Sequence, residues 1–417
     1  MKLCIHRGTK EIGGTCVEVE AQGKRLILDV GLPLDAPDDE NVQKTLVPDI
    51  SGFSAPDDNL LGVVISHSHV DHYGLARHIP QKIPVWIGQA AHTVLTAASR
   101  YAPNDYAVTD PHFLIGDIPV EIGPFRITPY RVDHSAFDAY ALLIEADGKR
   151  VFYSGDFRGH GRTAKRFEMM VARPPSGIDV LLMEGTSIGR VETDGRVETE
   201  NDLENQFIHA FKKTKGLHFV WTSSQNIDRL VTIFRAAKRT GRLFLIDLYT
   251  AVVLQATGRD TIPQSSWSDV RLYIPYRQRV FIKKRRLFDD LDRHKVNRVY
   301  PKDLPSLAGQ AVMLFRPLLM SDNGIQESLH GAALTYSMWK GYLDQDRSVK
   351  VLEWLDNHGI SWTPLHTSGH ASVADLRKFA SALAPRSLVP IHSFEPDRFK
   401  DYFDHVMCYD DGEWWRV

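Results

Sequence analysis

The stretch Ser66-His67-Ser68-His69-Val70-Asp71-His72-Tyr73-Gly74 packs three histidines and an aspartate into six positions, directly after the apolar run at 62–65. Residues two apart on an extended segment point to the same side, so His67 and His69 can grip one cation. Asp71 and His72, at the turn into a following helix, can face a second ion beside it. Imidazole and carboxylate together suit zinc, with manganese or iron as other occupants. More polar residues stand just past the ends of β-like runs: Asp29 after 25–28, His134 after 125–132, Asp156 after 151–153 and His392 after 389–391. Gathering ligands from the carboxyl ends of several strands is how an α/β scaffold builds a site.

The rest of the composition sets the frame for that motif. With 417 residues, 43% of them hydrophobic and 24% charged, the chain can bury a sizeable core, which excludes a mostly disordered protein. Fifty basic against 52 acidic residues give a net charge of −2, so a globally basic nucleic-acid binder is excluded while a local basic groove is not. No apolar run approaches a membrane span, and the N-terminus lacks an apolar core of signal-peptide length. Three cysteines, Cys4, Cys16 and Cys408, make no disulfide framework. The expectation is a cytoplasmic protein with no membrane partner.

Periodicity divides the chain in three. Residues 1–199 alternate short β-like runs with turns. From 200 to 360 the pattern changes to helix–strand alternation: Leu203, Phe207 and Phe211 follow helical spacing behind a capping box at Thr199 and Asp202, and Ile227, Leu230, Val231 and Phe234 give a second helix. From 361 to 417 the first style returns, with a helix capped by Ser372 and Asp375, a strand at 388–391 and an edge strand in the terminal Trp-Trp-Arg-Val. The reading is one α/β domain interrupted by another.

This order of motifs resembles the metallo-β-lactamase superfamily, whose αββα sandwich carries the His-x-His-x-Asp-His motif. Within it the chain resembles the β-CASP nucleases, and the ribonuclease J group most of all. Glu184 in Met183-Glu184-Gly185-Thr186, His370 in Ser368-Gly369-His370-Ala371 and His392 in Pro390-Ile391-His392 match the later motifs of that family. The resemblance runs in order from Lys10-Glu11-Ile12-Gly13-Gly14 to Gly412-Glu413-Trp414 and implies an inserted β-CASP cap over 200–360. It further implies one zinc on His67, His69 and His134, a second on Asp71, His72 and His392, Asp156 bridging them, and Asp29 orienting a ligand.

The implied reaction is hydrolysis of a phosphodiester by a hydroxide held between two metal ions. His370 would protonate the leaving oxygen and Glu184 would fix its tautomer, with Asp71 also counted in the catalytic set. The substrate is single-stranded RNA, with DNA open, and exonuclease or endonuclease action is undecided. Thr367, Ser368, Gly369 and Ala371, just before a capped helix, are candidates for a phosphate contact. Ser223, Ser224 and Asn226 are either a second phosphate contact or an ordinary polar N-cap. The basic run 277–286, interleaved with aromatics, reads as nucleic-acid contact or as a solvated charged face. His78, His112 and His160 read as structural. Ribonuclease J usually carries a further C-terminal domain that this sequence does not include, which leaves a homo-oligomer open. Three other functions compete: a nuclease of DNA, a hydrolase of small molecules and a catalytically silent scaffold.

Overall fold

The computed structural model describes residues 1–101, 106, 108–190 and 197–417. The chain divides into two compact units, Met1–Val197 with Gly369–Val417, and Glu198–Ser368.

The first unit is built on two sheets. One has seven strands in the order Trp414–Arg416, Lys2–Arg7, Cys16–Ala21, Lys24–Leu28, Leu60–Val64, Val85–Gly88 and Pro111–Leu114. The other has six, in the order Ser387–Ile391, Val180–Glu184, Lys149–Tyr153, Tyr140–Ala146, Phe125–Arg131 and Val120–Ile122. Strand alternation decides how they pack. Leu28 and Val64 of the first sheet meet Leu142, Ile144, Val151 and Leu182 of the second in one core. The intervening residues face outward: Ile27 and Val63 pack with Ala91 and Leu95 of the helix Gln89–Ser99. Leu143, Phe152, Leu181 and Met183 pack with Phe167 and with Leu376, Phe379 and Leu383 of the helix Val373–Leu383. Helix, sheet, sheet, helix: the αββα sandwich follows from apolar residues on both faces of both sheets.

The helix Val373–Leu383 forms where it does because the Ser372 side chain accepts from Asp375 N, and Leu376, Phe379 and Leu383 then share one buried face. The C-terminal strand lies at the sheet edge, paired antiparallel to Lys2–Arg7. Cys4 and Cys16 are buried and unoxidised.

The second unit holds a parallel seven-stranded sheet in the order Arg298–Val299, Val270–Tyr273, Leu243–Ile246, Ala311–Leu314, His218–Trp221, Ala333–Tyr336 and Ser361–Pro364. Its helix Glu200–Lys213 opens on the expected capping box, with Thr199 and Asp202 bonding reciprocally, and buries Leu203, Phe207 and Phe211. Beside it lies a wholly buried ion pair, Arg229 Nη2 to Glu200 Oε1 at 3.0 Å. Among the described residues no helix is long and apolar enough to cross a membrane.

Candidate metal centre

The first unit delivers its polar residues from strand ends. Leu60–Val64 runs out through Ile65 and Ser66 into His67 and His69, and the one-turn helix Val70–Tyr73 turns Asp71 and His72 inward, both buried. The backbone of 30–32 grips that turn, with Val30 N donating to His72 O at 2.9 Å and Leu32 N to Val70 O at 3.1 Å. Gly31 makes this possible: a Cβ there would stand 1.8 Å from Asp71 O.

Two groups result. The ring nitrogens of His67, His69 and His134 lie within 4.8 Å of one another, and so do the ligand atoms of Asp71, His72, Asp156 and His392. Asp156 is common to the second group and to a third with Glu184 and His370. It joins the two clusters directly, Oδ2 lying 3.2 Å from His72 Nε2, 3.7 Å from His67 Nε2 and 3.9 Å from His392 Nε2. The loop carrying His134 is pinned to the loop after Asp156, since Asp133 accepts from Gly161 N at 2.7 Å and from Thr163 Oγ1 at 2.8 Å.

The donor atoms fit cations. His67 Nε2, His72 Nε2, His392 Nε2 and both oxygens of Asp156 are buried and make no hydrogen bond. A cluster of unsatisfied buried acceptors costs stability unless something positive sits among them. The opposite ring nitrogens are all engaged. His72 Nδ1 donates to Asp29 Oδ2 at 2.7 Å, and His134 Nδ1 to Gly369 O at 2.6 Å. His67 Nδ1 lies 3.0 Å from Ser66 Oγ, and His392 Nδ1 3.0 Å from Thr15 Oγ1. Where Nδ1 donates, as at His134 to the Gly369 carbonyl, Nε2 is left with the lone pair that a metal ligand requires; that of His134 lies 3.0 Å from His69 Nδ1.

Asp29 is the hub of that outer ring. It also accepts from Ser66 N at 2.6 Å, from Ser66 Oγ at 2.7 Å and from Tyr153 OH at 2.5 Å, so it ties the first sheet to the second. Asp29 and His392 both take left-handed backbone, at φ 58° and 55°, a conformation uncommon outside glycine that is retained where the surroundings enforce it. Thr15, Tyr153 and Gly31 were not among the residues singled out from sequence. Thr15 carries no local signal at all, since its role depends on a partner 377 positions away.

At the third group, His370 Nδ1 lies 3.2 Å from both Glu184 Oε2 and Thr186 Oγ1. Glu184 is held in turn by the N–H groups of Phe157, Thr186 and Ala371 at 3.2–3.3 Å. Of the other candidates, Gly369 contributes its carbonyl to His134 and Ala371 its N–H to Glu184. Thr367 and Ser368 belong to the second unit, where the Thr367 hydroxyl donates to Glu198 O. Ser224 Oγ bonds Thr250 Oγ1 at 2.6 Å, and Asn226 caps the helix Ile227–Arg239 by accepting from Arg229 N. Ser223 is exposed. His160, read as structural, is buried 3.9 Å from Asp375 Oδ2.

The electrostatics set His67, His69 and His134 apart from His370. Burial pushes His67 and His134 well below the ordinary histidine value, and His69 down to about 4. Burial also opposes protonation of His370, but the Glu184 and Asp156 carboxylates outweigh it and raise the group to about 9. His72 is likewise raised against burial by Asp156 and Asp29. A divalent cation facing its Nε2 would compete with that proton.

Residues 47–222 match the beta-lactamase superfamily domain. The fold and the histidine clusters accord with that match, which covers residues 47–222 of the chain. The chain is similar to ribonuclease J of Helicobacter pylori, 19% identical over 412 residues that cover 94% of this chain and 56% of that protein. It is also similar to ribonuclease J 2 of Staphylococcus aureus, 25% identical over 56% of this chain and 42% of that one. The chain thus spans about half the length of the curated relatives it matches, 56% of one and 42% of the other. A solved structure, described as a protein of unknown function from Enterococcus faecalis V583, superposes with a TM-score of 0.81 at 21% identity over 99% of both chains.

Proposed function

We propose that this chain is a zinc-dependent ribonuclease that hydrolyses phosphodiester bonds of single-stranded RNA in the cytoplasm. The observation that carries the reading is the pair of ligand groups, one of His67, His69 and His134 and one of Asp71, His72, Asp156 and His392, with Asp156 Oδ2 3.7 Å from His67 Nε2 and His370 beside them. In this reading His67, His69 and His134 would hold one ion and Asp71, His72 and His392 the other, with Asp156 serving both. Two zinc ions, when bound, supply Lewis-acid charge for in-line hydrolysis of a phosphodiester. The inserted unit, Glu198–Ser368, is the β-CASP cap. The similarity to ribonuclease J supports RNA as the substrate.

The chain's own residues divide the remaining work. Glu184 accepts the Nδ1 proton of His370 and fixes its tautomer, so that the charged ring carries a second proton at Nε2 for the leaving oxygen. The Glu184 and Asp156 carboxylates keep that proton in place at neutral pH, against the effect of burial. Asp29, Thr15, Ser66 and the Gly369 carbonyl hold the ligand rings in register.

The test is a time course on end-labelled single-stranded RNA, 5′-phosphorylated and 5′-hydroxyl, beside matched DNA, with chelated protein as the blank. Mononucleotides from 5′-phosphorylated RNA support 5′-to-3′ exonuclease action, and internal fragments support endonuclease action. Cutting of DNA in preference to RNA overturns the substrate class. Absence of any cleavage by zinc-loaded protein overturns the reading.

A further inference from the structure

The basic run at 277–286 has a definite place in the second unit. It lies on the helix Tyr276–Arg285, which leaves the carboxyl end of the strand Val270–Tyr273 through Ile274 and Pro275. Arg277, Arg279, Lys283, Lys284, Arg285 and Arg286 fall within ten positions that hold no acidic residue. Among the described residues, none of the six makes an ion pair. Of the aspartates that follow in sequence, Asp292 pairs with Lys295 at 2.6 Å.

The charge does not serve the helix. Cations near a helix C-terminus are favourable, which accounts for Lys283, Lys284 and Arg285, but Arg277 and Arg279 stand in the first turn, where the dipole disfavours them. The N-cap is Pro275 and offers no side-chain hydrogen bond. Positive charge kept where it weakens its own helix points to a ligand of opposite sign.

Aromatic rings share the location. The strand Arg298–Val299 pairs in parallel with Val270–Tyr273, Val299 beside Tyr273, so Tyr276 and Tyr300 leave the same edge of the sheet from neighbouring strands about 4.8 Å apart. Both rings are open to solvent, Tyr276 at 60% and Tyr300 at 49%. Each carries a guanidinium, Arg279 at 5.8 Å from the Tyr276 centroid and Arg298 at 4.7 Å from that of Tyr300. Arg298 Nε is buried without a hydrogen-bond partner. Buried Asp322 fixes the corner, accepting from Tyr276 N at 2.7 Å.

We propose that this corner of the inserted unit, the helix Tyr276–Arg285 together with Arg298 and Tyr300, is an accessory surface that holds single-stranded RNA. Phosphates lie along Arg277, Lys283 and Lys284, and bases stack on the two tyrosines. The chemistry is sequence-tolerant, because every base has a π-face and every nucleotide a phosphate. The proposal rests on the RNA reading above and adds a binding surface to it.

The experiment compares full-length wild type with R277E/K283E/K284E and with Y276A/Y300A. Anisotropy titrations use a labelled 20-nucleotide oligouridylate over a range of salt, and hydrolysis of bis-p-nitrophenyl phosphate reports the metal centre alone. Affinity for the oligonucleotide is expected to fall tenfold or more in each variant. The salt slope of the charge-reversal variant should become shallower by about 2, the value for three lost phosphate contacts on a single strand. Hydrolysis of the small phosphodiester should be unchanged. Wild-type RNA affinity in both variants overturns the surface and leaves the nuclease reading standing. Wild type that hydrolyses the small ester but binds no RNA overturns both. Loss of small-ester hydrolysis in the variants assigns the corner to folding, and binding of wild type to phosphatidylglycerol vesicles in preference to RNA assigns it to a membrane surface; either result overturns the proposal.

Discussion

His370 Nδ1 lies 3.2 Å from Glu184 Oε2 and 3.5 Å from Asp156 Oδ2, so one ring spans the carboxylate of the acid pair and the carboxylate shared by the ligand groups. That placement lets the proton donor and the metal ligands be separated by mutation.

His370→Ala removes the proposed acid without touching the ligand groups. Metal content by plasma emission spectrometry should stay at the wild-type value while RNA cleavage falls by about 10²- to 10⁴-fold, the usual worth of a positioned general acid. Asp156→Ala should lose metal as well as activity. Equal metal loss in the two variants contradicts this division of roles.

Glu184→Gln tests the coupling through pH. His370 acts protonated, and Glu184 raises its pKa against burial, so activity fails as pH rises through that pKa. Removing the Glu184 charge lowers it. The alkaline limb of the kcat profile should therefore move to lower pH with metal content unchanged. An unmoved limb would show that Glu184 serves only the backbone N–H groups it accepts.

Asp29→Asn keeps a residue that tolerates left-handed backbone but weakens the acceptor for His72, Ser66 and Tyr153. Loss of such an outer partner costs about 10- to 100-fold in metal affinity. Competition against a chromophoric zinc chelator reads this directly, and an unchanged affinity would sink the proposed role.

Gly31→Ala forces a Cβ into the space of Asp71 O. The turn carrying Asp71 and His72 must shift, so zinc affinity and thermal midpoint should both fall, more than for Gly23→Ala, where a Cβ would meet no atom within 4 Å and only the backbone strain of φ 72° remains. Equal effects at the two glycines would mean that the close approach is unimportant.

Arg229→Met leaves Glu200 charged and buried. Breaking one partner of such a pair costs about 3–5 kcal/mol, whereas replacing both by apolar residues can be nearly neutral. Urea unfolding should show a large loss for Arg229→Met and partial recovery in R229M/E200L. A single-variant loss below about 1 kcal/mol, set against that range, would mean that solvent or another group takes over the charge.

The sequence by itself determined the elements and the cast of the site. The short apolar runs at 25–28, 62–65 and 180–183 and the boxes at Thr199 and Ser372 depend on neighbours along the chain, and such local rules carry their own signal. The run from His67 to His72 is legible for the same reason, since its ligands share one strand end and one turn. Tertiary structure decided what no local pattern encodes. Thr15 backs His392, Tyr153 reaches Asp29 across the sheets, and Gly31 exists to admit Asp71, each through a partner distant in sequence. It also set the contacts on which the open readings turn: Asn226 accepts from Arg229 N as an N-cap, and among the described residues the cations of 277–286 make no ion pair although aspartates follow them. Ion pairing depends on distance in space, and only the folded chain sets that.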